Sequence, residues 1–275
     1  MKYTDIKIGS IWKSNGSGEF KIISEGKPVR NGRDYSFEIE FLNTGYKREA
    51  STGSIITGQV NDLYAPTIEG HGFVGEGKYT LKKYRTFYDR WRCILARCFN
   101  PNCKSFNVYN KHLIDNRWLN FQNFAEWYED NFIQSYEIDK DIICNIKHLK
   151  TKVYSPETCL FIPGDINGFL AGDSLFCGIS FKITTQKIGF YLDFGRDIYD
   201  IPKQRWYEDF YEAKKIYSDC KYKRWKFLVL NSELSDEKKN LLLQYDFTHF
   251  WRIEEININE IFYNNKNQVL NIINL

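Results

Sequence analysis

The spacing of apolar residues changes period along this chain, and that change restricts it to a mixed fold. Up to about residue 78, short runs alternate apolar and polar, as in Glu19-Phe20-Lys21-Ile22-Ile23 and Tyr35-Ser36-Phe37-Glu38-Ile39-Glu40-Phe41. Period-two alternation between turn residues is the signature of strands. Thr44-Gly45-Tyr46 marks a turn after the second run. Gly70, Gly72, Gly75 and Gly77 precede no immediate helix, so they read as tight turns or a linker and not as a phosphate loop.

From residue 79 the period becomes helical. Tyr84, Tyr88, Trp91, Ile94 and Leu95 share a helix face that ends at Arg97-Cys98-Phe99-Asn100-Pro101. A second helix is expected over Asn120–Phe132. A strand at Tyr136-Glu137-Ile138, a long loop, a strand at Cys159–Ile162 and a short helix from Asp165 follow. Strands are then expected at Leu175–Ile183 and Lys187–Phe194. Helices are expected at Tyr207–Lys221 and at Ser235–Leu243, the latter capped by Ser235. Residues 248–275 suit a strand pair or a tail. The fold class is α+β, with a β-rich N-terminal domain over 1–78, a central domain over 79–170 and a C-terminal α+β domain over 171–275.

A chain of 275 residues with 43% apolar and 27% charged side chains has the length for two or three domains and the composition for a buried core. Seven cysteines, an odd and irregular set without a C-x-x-C pair, point to reduced thiols and argue against structural zinc. With no apolar leader and no run near the ~18 residues of a membrane span, a cytoplasmic protein without membrane contact is expected.

Charge is concentrated in one place. Residues 1–80 carry ten basic and ten acidic side chains, and residues 171–275 carry fifteen of each. Residues 81–124 hold nine basic side chains against two acidic ones, a net +7 interleaved with aromatics. Arg90, Arg92, Arg97, Lys111 and Arg117 in this stretch are candidate DNA contacts. The alternative is a solvated helix face with snorkelling side chains.

Residues 136–167 read Tyr136-Glu137-Ile138-Asp139-Lys140-Asp141, a loop, Tyr154-Ser155-Pro156-Glu157-Thr158-Cys159-Leu160-Phe161-Ile162-Pro163, then Gly164-Asp165-Ile166-Asn167. This resembles the ββα-metal motif of HNH endonucleases, especially the phage and intron-borne group. The upstream stretches Tyr88-Asp89-Arg90-Trp91, Arg97-Cys98-Phe99-Asn100-Pro101, Tyr109-Asn110-Lys111-His112 and Trp118-Leu119-Asn120-Phe121 keep that family's order, so the resemblance covers about 84–170. It implies DNA as partner. It also implies Mg²⁺ or Mn²⁺ bound by Asp139 on the first strand and Asn167 on the helix, an oxygen donor set that suits either ion.

Two positions depart from the pattern. Lys140 stands where the family has its general-base histidine, and Thr158 stands where it has the asparagine that orients that base. A lysine near its ordinary pKa of ~10.4 is protonated at pH 7, so it can grip a phosphate but cannot activate water. His148 and His112 are the histidines near enough in sequence to substitute. The catalytic set carried over is thus Asp139, Lys140, Thr158 and Asn167, with Lys140 also a DNA contact.

Phe176-Cys177-Gly178-Ile179-Ser180 and Phe210-Tyr211-Glu212-Ala213-Lys214-Lys215-Ile216-Tyr217 are similar to the ethylene-response-factor type of DNA-binding domain, which implies a three-stranded sheet backed by a helix. Lys182, Lys187 and Arg196 are the basic candidates on that sheet. Phe41-Leu42-Asn43-Thr44-Gly45-Tyr46 resembles a β-rich leader of similar phage proteins.

Two functions follow. One is a phage-type DNA-binding protein of the HNH kind, able to nick DNA if catalysis survives its degenerate residues. The other is a catalytically silent relative that binds and inhibits a host defence or DNA-processing complex. The 17% aromatic content motivates the second, because Tyr and Trp anchor interfaces, including those of homo-oligomers.

Overall fold

The computed structural model of the chain describes residues 5–29, 34–109, 113–170, 178–184, 186–194 and 201–247. It is α+β, with several small sheets and no barrel among the described residues. Two compact units are formed: Met1–Asn131 with Val153–Pro156, and Phe132–Lys152 with Glu157–Leu275. Residues 79–170, expected as one segment, are therefore shared between them.

The first unit opens with a sheet of five strands, β1 (Ile11–Lys13), β2 (Glu19–Ile22), β3 (Lys27–Val29), β4 (Asp34–Phe41) and β5 (Lys47–Ser51), all paired antiparallel. The alternation of these runs buries Trp12, Phe20, Ile22, Phe37, Ile39, Phe41 and Ala50 on one face. Helix α1 (Thr52–Thr57) closes that core with Ile55. It starts at Ser51, whose side chain accepts the Ser54 N–H, and stops at Gly58 in the left-handed conformation.

Helix α2 (Arg85–Phe99) ends one residue before Asn100-Pro101, as its sequence predicts. It packs on α4 (Phe121–Asn131) through Trp91, Ile94, Leu95, Phe121, Phe124 and Tyr128. The Trp91 indole donates to the Trp118 carbonyl at 2.6 Å. Gly72 is required there: a Cβ would come within 2.4 Å of Leu95 Cδ1 and 2.8 Å of Trp91. Between the two helices lie a single turn, α3 (Phe106–Tyr109), and strand β6 (Leu113–Ile114).

In the second unit, β7 (Tyr136–Asp139) leads into α5 (Asp141–Ile146), a helix where the sequence suggests loop. Its three consecutive apolar residues, Ile142, Ile143 and Cys144, are all buried, so the segment carries no helical period. Strand β8 (Val153–Tyr154) returns to the first unit, where it pairs with β6 in parallel. Strand β9 (Leu160–Pro163) pairs antiparallel with β7, and α6 (Gly164–Leu170) follows without a break and packs on both.

The remaining described residues form β10 (Ile179–Ile183), β11 (Ile188–Leu192) and β12 (Trp206–Tyr207), an antiparallel sheet backed by α7 (Phe210–Leu230). Helix α7 runs nine residues past the expected end at Lys221. Lys214 and Lys221 are themselves buried, the latter with its ammonium 5.4 and 5.3 Å from the Phe169 and Phe247 ring centroids. Charged residues on the inner face hide the continuation through Trp225 and Val229. Helix α8 (Asp236–Leu242) begins at Ser235 as expected, with the Ser235 hydroxyl accepting the Lys238 N–H. The strand starts expected at 175–177, and the expectation for 248–275, lie outside the described residues. No helix among the described residues is long and apolar enough to cross a membrane.

Candidate functional site

Strands β7 and β9 and helix α6 bring together residues that are distant in sequence. Asp139 faces Leu160 and Glu137 faces Ile162 across the ladder. Directly opposed residues share a face, and so do residues two apart on a strand. Glu137 and Asp139 thus lie on the face that carries Leu160 and Ile162, roughly 7 Å apart along the strand. Helix α6 sets Asn167 beside Glu137: its Nδ2 donates to Glu137 Oε2 at 2.6 Å. The sequence reading named Asp139 and Asn167 but missed Glu137. Its only signal was the Glu-x-Asp alternation along one strand face.

Asp139 is 8% exposed, and its Oδ1 accepts the Ile142 N–H at 2.9 Å, which caps α5. Burial pushes its carboxyl up to about 6, and the Asp141 charge adds to the rise; the Ile142 N–H, Lys140 and Lys152 oppose it. At pH 7 the group is therefore mostly ionised.

Lys140 is 2% exposed, and its ammonium is 3.0 Å from Asp141 Oδ1. Lys152 holds the same oxygen at 2.8 Å. Against the effect of burial, these two ammonium groups keep Asp141 below the usual carboxylate range. Lys140 is held here as the partner of a carboxylate. Thr158 is buried on the approach to β9. His148 is exposed after α5, with a left-handed φ of 51°. His112 lies outside the described residues. Lys147, which donates to the Glu157 carbonyl at 3.0 Å, and the exposed Lys150 add positive charge to the same connection.

By donor chemistry alone, the oxygens of Asp139 and Asn167 are of the type that suits a hard cation. They are the Asp139 carboxylate, and the carboxamide oxygen of Asn167, whose nitrogen is already engaged by Glu137. Among the described residues no group of three or more His, Cys, Asp or Glu side chains is placed to hold a metal ion. Two protein oxygens with water and phosphate completing the shell is the usual pattern for Mg²⁺.

The basic stretch of the first unit is differently built from what its charge count suggests. At 100° per residue, Arg85 and Arg92 border the buried face of α2 on one side, and Arg90 and Arg97 border it on the other. Arg92 Nε pairs with Glu69 Oε1 at 3.2 Å. Arg90 hydrogen-bonds Tyr128, and Arg97 hydrogen-bonds Tyr154. Arg117 makes two 2.8 Å contacts to Asp115. Lys111 lies outside the described residues. These four arginines are not one stripe on one helix face, and each is tied to a group within its own unit.

On the C-terminal sheet, Lys182 lies with its ammonium 4.0 Å from the Tyr191 ring centroid, and Tyr191 packs on Trp206 at 5.3 Å. Tyr191 and Trp206 were not among the sequence candidates. Lys187 is exposed, and Arg196 lies outside the described residues. No protein-family model, no curated protein and no solved structure matches this chain.

Proposed function

We propose that this chain is a phage-type DNA-binding protein whose ββα unit engages a phosphodiester together with Mg²⁺ or Mn²⁺, and whose hydrolytic step is impaired. One observation carries the reading: the β7–β9 hairpin and α6 hold a buried Asp139 on the same strand face as Glu137, the residue that binds the Asn167 amide, and Lys140 and Lys152 pair with Asp141 next to Asp139. A divalent ion held by these oxygens would supply charge stabilisation at the phosphate. The chain's own part is to hold that ion and the backbone in place. Asp139 is fixed by the α5 N–H, Asn167 by Glu137, and the Lys140 and Lys152 ammonium groups both hold Asp141, next to Asp139. At the motif's base position stands Lys140, buried and paired with Asp141, in place of a histidine base.

The aromatic residues favour this reading over the silent protein-binding relative. Trp91, Trp118, Trp225, Phe20, Phe41, Phe121, Phe124, Phe161, Phe190 and Phe210 are all under 2% exposed, so much of the excess is core.

Supercoiled plasmid incubated with the pure protein and MgCl₂ or MnCl₂ tests both parts. Retarded plasmid with little nicking is expected. Nicking at rates typical of an efficient enzyme removes the impairment, and no retardation at low salt removes the reading.

A further inference from the structure

Glu137 has no place in the sequence motif, yet it is the side chain that decides which way Asn167 faces. A carboxamide presents an oxygen on one side and an NH₂ on the other, and only the oxygen binds a cation. Glu137 is acceptor-only when ionised, so the 2.6 Å contact identifies the side of Asn167 facing it as the nitrogen. The oxygen is thereby turned away from Glu137. The carboxylate lies over the β9–α6 junction, its Oε1 3.8 Å from where a Cβ on Gly164 would be, an ordinary contact distance. Residues that orient a ligating group in this way tune ion affinity without touching the ion.

We propose that Glu137 is a positioning residue for a divalent-ion site formed by Asp139 and Asn167, acting through its hydrogen bond to the Asn167 amide. This rests on the reading of Asp139 and Asn167 as the ion-binding pair. It separates two roles that one carboxylate could play. A ligand must keep its charge, whereas a positioning residue must keep only an acceptor.

The experiment is titration of the full chain with MnCl₂ alone, followed calorimetrically or by the electron-spin signal of free Mn²⁺, with folding checked by thermal melting. Glu137→Ala is expected to weaken Mn²⁺ binding by about 10–100-fold. Glu137→Gln, which retains an acceptor oxygen, is expected to stay within about threefold of wild type. The double variant Glu137→Ala/Asn167→Ala is expected to bind no more weakly than Asn167→Ala, because Glu137 works through Asn167. Equal losses in the Gln and Ala variants, or additive losses in the double variant, overturn the proposal. Mn²⁺ binding that requires Asp139 and Asn167 but ignores Glu137 removes this inference alone. No Mn²⁺ binding by the wild-type chain removes the ion-site reading and this inference with it.

Discussion

Replacing Asp139 by Asn tests the electrostatics of the site without any ligand. The carboxyl titrates near 6 in the folded chain, against an ordinary value of 3.8, because burial penalises its charged form. Below about pH 3 the group is largely neutral in both states and contributes little to the difference. As pH rises from about 4 to 6 the unfolded chain releases this proton first, so the native state loses stability relative to the unfolded one. A shift of two units corresponds to about 3 kcal/mol, fully expressed above about pH 7. The carboxamide of the Asp139→Asn variant would still accept the Ile142 N–H that caps α5, so the comparison isolates the charge. In urea titrations at pH 3 to 8 with EDTA present, Asp139→Asn is expected to match wild type at about pH 3. It is expected to exceed wild type by up to about 3 kcal/mol at pH 8. Parallel stability curves for the two proteins across this range would refute the reasoning, as would a wild type that gains on the variant as pH rises.

Trp225 is fully buried, donates its indole N–H to the Leu242 carbonyl at 2.9 Å and stacks on Phe169, so Trp225→Ala is expected to cost about 3–5 kcal/mol in urea unfolding. At Gly72 an added methyl meets Leu95 and Trp91, and Gly72→Ala is expected to lower stability by about 1–3 kcal/mol in the same assay. Asp141→Asn leaves the buried Lys140 ammonium without the carboxylate it faces. A loss of about 1–3 kcal/mol at pH 7 is expected, shrinking only as pH falls below the usual carboxylate range, because the lysines keep Asp141 ionised below it. Arg117→Ala removes a side chain already engaged by Asp115, so duplex affinity measured by anisotropy is expected to change by less than about threefold, whereas a free phosphate contact would also flatten the salt dependence.

The alternating runs of the first sheet, the stop of α2 before Pro101 and the strand–strand–helix order around Asp139 were readable because each has a local signal: period, proline and turn chemistry. Helix α5 was not, since its three consecutive apolar residues are all buried, and its first-turn Ile142 N–H is taken by the side chain of Asp139, a residue also claimed by the motif. The reach of α7 was hidden by Lys214 and Lys221, whose stems and ammonium groups are accommodated among aromatic rings. Counting charge over residues 81–124 located basic residues but not their partners: Glu69 lies 23 positions before Arg92, and Tyr154 lies far beyond Arg97. Lys140 illustrates the same limit. The sequence marks it as a replacement for a base, and only the structure shows its side chain buried and paired with the half-exposed Asp141.

The central claim is that the Asp139–Asn167 side of the hairpin engages DNA together with a divalent ion. Fluorescence anisotropy of a labelled duplex, titrated with the full chain at several salt concentrations with and without MgCl₂, tests it directly. The account predicts affinity that falls steeply with salt. At constant ionic strength it also predicts tighter binding with Mg²⁺ for wild type and no Mg²⁺ response for Asp139→Ala. An identical Mg²⁺ response in the two proteins, or no binding at low salt, contradicts it.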